Sequence, residues 1–241
     1  MGGGLFYSGD FSCESLLFPF DLPPPAYLAL LDASYGLYDQ SHHVAWSILE
    51  SLLESHPALL PVPPSGRAIE IALWRQQQGF EDWSMDASCY ENLTRMISQS
   101  SDLLLPGVQQ SLRELMPRAA TFDPQAHLLL AGEPDGCQGK AGELIREHQA
   151  RAADPNADSS ERLLIHTGYV APHAPRGTHT LCWNVHPRLT DLRWLVDMVQ
   201  PRYCMPLFTP LHDLPTWRNV MGAALSLEGH WELPATSVGV V

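Results

Sequence analysis

Alternation is the feature that most constrains this chain. Apolar runs too short for helices are repeatedly closed by turn residues and followed by segments with a helical stripe. Leu5, Phe6 and Tyr7 end at Gly9, and Asp10 follows at once. YLALLDASYG (27–36) is an apolar run closed by Asp32 and a Ser-Tyr-Gly turn, and ALLPVP (58–63) is stopped by prolines. HHVAWSILESLLESH places Val44, Ile48, Leu49, Leu52 and Leu53 on one helical stripe, and SGRAIEIALWRQQ (65–77) predicts a helix capped by Ser65. The rhythm continues with WSMDAS before YENLTRMISQ, and with AHLLLAGEPDG (126–136) before GKAGELIREHQAR. RLLIHTGYV and THTLCWNVH predict two further strands before the helix TDLRWLVDMVQ, and YCMPLF (203–208) predicts a last one. ADPNADSSE (153–161) reads as a polar loop, and the segment from about 222 as a weakly patterned tail. Strands alternating with helices predict an α/β fold on a largely parallel sheet. Ligands of such sheets gather beyond the carboxyl ends of the strands, where Asp10, Asp32, the GEPDG loop and His186 are expected.

Length and charge bound the function. With 241 residues the chain can form one large domain or two small ones. Fourteen Lys and Arg against 27 Asp and Glu give a net charge of −13, which leaves few cations for a broad phosphate-binding face. A narrow, locally positive groove stays open. No run approaches the ~18 apolar residues of a membrane span, and no basic segment precedes an apolar core as in a signal peptide. Cysteines 13, 89, 137, 182 and 204 are odd in number and show no CxxC spacing, which fits reduced thiols and a cytoplasmic setting.

Taken singly, a carboxylate after a strand caps a turn more often than it serves catalysis. A histidine before a proline, like His186, is more often structural. Their order changes the reading. The series LFYSGDFS, LLDASYG, VPPSGRAIEI, LLLAGEPDGCQG, IHTGY and WNVHPRLTDLRWLVDMVQPRYCMPLF resembles the β-CASP branch of the metallo-β-lactamase-fold nucleases over residues 5–208. That branch includes messenger-RNA 3′-end endonucleases, bacterial J-type ribonucleases and DNA crosslink-repair nucleases. Its motifs read TGDF, EsTYG, GRAQE, a PGM-type loop, aGY and sAHtD.

The resemblance implies a partial metallo-β-lactamase αββα core in residues 1–36 and 185–241, interrupted by an inserted β-CASP parallel α/β domain at 37–184. It implies zinc-dependent phosphodiester hydrolysis, with two zinc ions as cofactor and nucleic acid, RNA ahead of DNA, as partner. Asp10 would be the metal-bridging carboxylate. His186 would be the general acid toward the leaving oxygen, oriented by Asp32. Gly66 and Arg67, at the GRA turn, and Gly136 and Gly139 would line phosphate-facing loops.

Three departures temper this. The family's HxHxDH cluster lies upstream of its TGDF strand, and this chain starts at that strand, so a missing N-terminal half or a partner subunit is expected to supply most metal ligands. An exposed hydrophobic face is expected for the same reason. Phe208 occupies the place of the family's last metal-binding histidine. Glu133 and Asp135 put two charges where the phosphate loop should be neutral, a repulsion of roughly 1–3 kcal/mol at ~5 Å. His42, His43, His173 and His179 are replacement ligands by type only, the last two with no carboxylate nearby in sequence. The expectation is a family member inactive as this chain alone, with a catalytically silent binding or scaffold subunit as the alternative. A small-substrate hydrolase of the same fold is the weaker third.

Overall fold

The computed structural model describes residues 3–99, 101–152, 162–168, 170, 172–177 and 179–228. The expected loop at 153–161 lies outside them. The elements in chain order are β1 (Leu5–Tyr7), β2 (Leu28–Asp32), α1 (His42–Ser55), β3 (Ala58–Pro61), α2 (Arg67–Gln77), β4 (Trp83–Met85), α3 (Ala87–Gln99), α4 (Val108–Ala119) and β5 (Leu128–Ala131). Then come α5 (Gly139–Ala152), β6 (Leu163–His166), β7 (His179–Thr180), α6 (Leu189–Val199), β8 (Tyr203–Leu207) and α7 (Leu214–Met221). Every strand pairing is parallel, so the molecule is α/β. No helix among the described residues is long and apolar enough to cross a membrane.

The chain divides into two compact units. Unit 1 comprises residues 1–14, 20–41 and 184–241, and unit 2 comprises 15–19 and 42–183. The parallel strands form two sheets, one per unit.

Unit 2 holds a five-stranded sheet in the order β4-β5-β3-β6-β7. Its strands β3 and β5 are apolar at every position because both faces are covered. Ala58, Leu60, Leu128, Leu130, Leu163 and Ile165 point to one side, into a core with Leu49, Ile69, Leu93 and Leu112 from α1, α2, α3 and α4. Leu59, Leu129 and Leu164, one residue out of phase, point to the other and meet Ala141, Leu144 and Ile145 of α5. Buried Glu70 of α2 ties this core together: it accepts hydrogen bonds from the Leu16 amide, the Ser15 hydroxyl at 3.0 Å and Trp183 Nε1 at 2.7 Å.

Unit 1 holds three strands in the order β1-β2-β8. Phe6, Ala29, Leu31 and Cys204 face a core with Leu192, Leu195 and Val199 of α6 and Trp217 and Met221 of α7. The opposite face is less covered: Leu5 and Tyr7 are about half exposed, and Tyr203, Met205 and Leu207 half-buried.

Several local expectations need correction. Helix α2 begins at Arg67 with Gly66 as its cap, in a left-handed conformation at φ 64°; the Ser65 carbonyl instead accepts the Arg67 amide at 2.8 Å. THTLCWNVH is not one strand: only His179 and Thr180 are extended into the sheet. Beyond them the Trp183 indole is drawn into the core by Glu70, and the following residues run irregularly. The segment from 222 is not loose at its start. It forms a 3₁₀ turn at Gly222–Ala224 and a bridge from Leu225 to Cys204, while 229–241 lie outside the described residues. All five cysteines are free thiols.

Candidate functional site

Strands β1 and β2 run parallel with Tyr7 opposite Leu30, so the residues just past their carboxyl ends emerge side by side. The Ser8 hydroxyl, 2.8 Å from the Asp32 amide, pins the two ends together. Asp10 and Asp32 leave from this edge. His186 arrives from the loop before α6, not from a strand end as the sequence predicts. The three side chains meet, each offering a ligand-type atom within 4.8 Å of the others.

Their environments differ sharply. Asp32 is fully buried and has both oxygens engaged. Oδ1 accepts from the Ser34 amide at 3.0 Å and from its hydroxyl, and Oδ2 lies 2.7 Å from His186 Nδ1. A carboxylate can only accept, so Nδ1 carries the proton and Nε2 is the nitrogen left for chemistry. The Tyr35 ring stands edge-on to the imidazole at 5.0 Å. Asp10 is 73% exposed, with Oδ1 3.9 Å from His186 Nδ1.

The loop carrying His186 is braced by charged groups within unit 1. Asn184 Nδ2 donates to Glu14 at 2.7 Å and to the Gln40 carbonyl at 3.0 Å. Arg188 forms a two-pronged pair with Asp191 at 2.8 and 2.9 Å and reaches Glu14 at 3.1 Å. That pairing, chiefly the hydrogen bonds donated to Asp191, holds the Arg188 guanidinium pKa above its usual value. Free amides at the start of α6 are taken up by Asp39, which accepts from the Thr190 amide at 2.8 Å and its hydroxyl at 2.7 Å.

The expected phosphate-facing residues lie in unit 2. Gly66 and Arg67 follow β3, and Gly136 and Gly139 follow β5, so all four emerge at the carboxyl edge of that sheet. The Arg67 guanidinium rests on the loop after β6: Nη1 is 3.4 Å from Thr167 Oγ1, and a Cβ on Gly168 would sit 2.7 Å from it. Among the replacement histidines, His42 is buried against Trp46 and Trp183, and His43 and His179 are exposed. His173, expected to lack a carboxylate, has Asp135 Oδ2 at 3.4 Å because the fold returns its loop to the GEPDG turn. Phe208 is 65% exposed in a left-handed conformation at φ 63°, one residue past the partner of Asp32.

Sequence reasoning missed Ser34, Tyr35, Asp39 and the Glu14–Arg188–Asp191 brace. Only the Ser-Tyr-Gly turn beside Asp32 offered a local signal for the first two. No protein-family model matches the chain, and no curated protein matches it.

Proposed function

We propose that unit 1 carries the acid–base part of a phosphodiester-hydrolysing centre of the metallo-β-lactamase/β-CASP kind, with nucleic acid, RNA ahead of DNA, as the substrate class. In this reading unit 1 is part of the αββα core and unit 2 the inserted β-CASP domain. The observation that supports it is the 2.7 Å Asp32–His186 pair with Asp10 beside it. His186 Nε2 hands a proton to the leaving ribose oxygen, while buried Asp32 fixes the orientation and tautomer of the ring. A cytoplasmic setting keeps the five thiols reduced.

The trio does not fit the two-zinc centre that the resemblance implies. Catalytic zinc takes three protein ligands per ion. Here Asp32 is committed to Ser34 and His186, so Asp10 and His186 Nε2 are at most two outward donors, too few for even one catalytic zinc. No hydrolytic step follows from these residues alone, and the remaining donors would come from another segment or a partner subunit. The experiment is cleavage of labelled single-stranded RNA and DNA in Zn²⁺ or Mn²⁺. The chain alone should be inert and the product of its full gene active. His186→Ala in the active form should lower turnover at least about 100-fold with metal content unchanged. A full gene product that binds less than one zinc and cuts neither nucleic acid defeats the proposal, and metal loss in His186→Ala defeats the role given to His186.

Phe208 favours a second reading, a silent binding subunit, since an exposed phenyl ring cannot ligate metal where the family carries a histidine. That reading requires the full gene product to bind RNA without cutting it.

A further inference from the structure

A second group of donors lies in unit 2, in residues that the phosphodiesterase reading does not use. Asp135 and Cys137 come from the loop after β5, and His173 from the segment after β6. One atom of each lies within 4.8 Å of the other two. Cys137 Sγ sits 3.6 Å from the Asp135 carbonyl and 3.7 Å from the His173 carbonyl, between its prospective co-ligands. We infer that Asp135, Cys137 and His173 form a site for a single divalent transition-metal ion of the zinc class, bound by one carboxylate oxygen, one thiolate and one imidazole nitrogen.

Spacing is the first support. Zinc bonds of about 2.0–2.2 Å to nitrogen and oxygen, at a tetrahedral angle, put the two ligand atoms about 3.3 Å apart. His173 Nε2 and Asp135 Oδ2 stand at 3.4 Å, long for a charge-assisted hydrogen bond and close to a ligand–ligand edge. Charge is the second. An ionised carboxylate, a thiolate and a neutral imidazole together balance a divalent ion. Ligand chemistry is the third: sulfur with nitrogen selects zinc-like ions over magnesium and calcium, which prefer oxygen alone. Three protein donors leave one tetrahedral position for water or a further ligand.

The loops are also built to hold this geometry. Asp135 Oδ1 accepts the Cys137 amide at 2.9 Å, which turns Oδ2 toward His173. Gly136, between the two ligands, has φ 67°, and a Cβ there would meet Ile145 Cδ1 at 2.6 Å. On the other side, buried His166 lies with Nε2 2.9 Å from the Pro175 carbonyl, tying down the loop two residues from His173. Both loops are therefore positioned before any ion arrives, which lowers the ordering cost of binding. Arg146 is the nearby cation, 3.4 Å from the Cys137 carbonyl, and Glu133 adds a further acid to the turn. Side-chain exposures of 34% for Asp135 and 69% for His173 leave the ion a way in. Three of the other four thiols compete poorly: burial pushes Cys204 up to about 12 and Cys13 up to about 11, and raises Cys89 further.

The test is titration of the metal-free, fully reduced chain with Co²⁺ alone, followed by optical spectroscopy and competition with Zn²⁺. One equivalent of Co²⁺ should produce a thiolate-to-metal charge-transfer band in the near ultraviolet, erased by Zn²⁺. Cys137→Ser should abolish the band with the far-ultraviolet dichroism unchanged. Asp135→Asn and His173→Gln should each weaken binding by more than about tenfold. A Cys13→Ser, Cys182→Ser double variant and His186→Ala should titrate like the parent. No band in the parent, a band that survives Cys137→Ser, or binding lost with His186→Ala overturns the assignment. Because His186 belongs to the other unit, failure here leaves the phosphodiesterase reading standing, and the reverse holds.

Discussion

Asp32 with His186, and Asp135 with His173, join the same two functional groups in the two units, and they do opposite things. The first pair stands at 2.7 Å with the carboxylate wholly buried. The second stands at 3.4 Å with both side chains open to solvent. Burial makes the difference. A carboxylate taken fully out of water must have its oxygens satisfied, so Asp32 spends one on Ser34 and the other on His186. Such a pair orients a ring firmly but has little left to offer a cation. Asp135 keeps one oxygen uncommitted to strong partners because water supports it when nothing else does. Identical residue types are thus held in different states of engagement by their depth in the fold, which is what separates the two roles proposed for them.

The largest test of this contrast is stability. Asp32→Ala should cost unit 1 about 1–3 kcal/mol in urea unfolding, because it empties a fully buried position and removes the hydrogen-bond partner of the His186 ring. Asp135→Ala should lower the midpoint of the metal-free protein far less, because that carboxylate stays in contact with solvent. Equal effects would erase the distinction. Next in size is Gly136→Ala, which forces a side chain into a left-handed turn against Ile145. A loss of about 1–2 kcal/mol is expected, with weaker Co²⁺ binding. Unchanged affinity would mean that the turn does not shape the site.

The smallest effect is on acid sensitivity. Chiefly the Cys137 amide, and secondarily His173, hold the Asp135 carboxyl pKa below its ordinary value. A depressed carboxylate stabilises the folded state at pH values above its unfolded pKa, and that contribution fades as pH falls through the folded one. The difference between the parent and Asp135→Asn should therefore be constant near neutrality, begin to shrink near about pH 4 and vanish at still lower pH. A difference that grows on acidification would reverse the sign and refute the assigned cause.

Much of unit 2 was readable because its strands are buried on both faces, so ALLP and LLLA stand out as unbroken apolar runs and LLIH is apolar up to its last residue. Helix α4 was not foreseen: Pro117 sits in its last turn and argues against a helix, yet Leu112 and Leu115 bury enough apolar surface to override it. Helix α7 was missed although its signal was present. Asp213 caps it by accepting the Thr216 amide and hydroxyl, with Pro215 in the first turn. At the candidate site, motif order pointed to Asp10, Asp32 and His186. Asp39 and Arg188 matter only through contacts that no spacing rule encodes. Pairing Asp135 with His173, 38 residues apart, requires knowing where the β6 loop returns.

The commitment of Asp32 to His186 has a further result. By fixing which ring nitrogen keeps its hydrogen, it leaves the opposite one as a lone pair when the ring is neutral and as a donor when it is charged. Neither heavy atom has to move between these states. The same imidazole can therefore take a proton in one half of a cycle and return it in the other, with the direction of travel set by what binds.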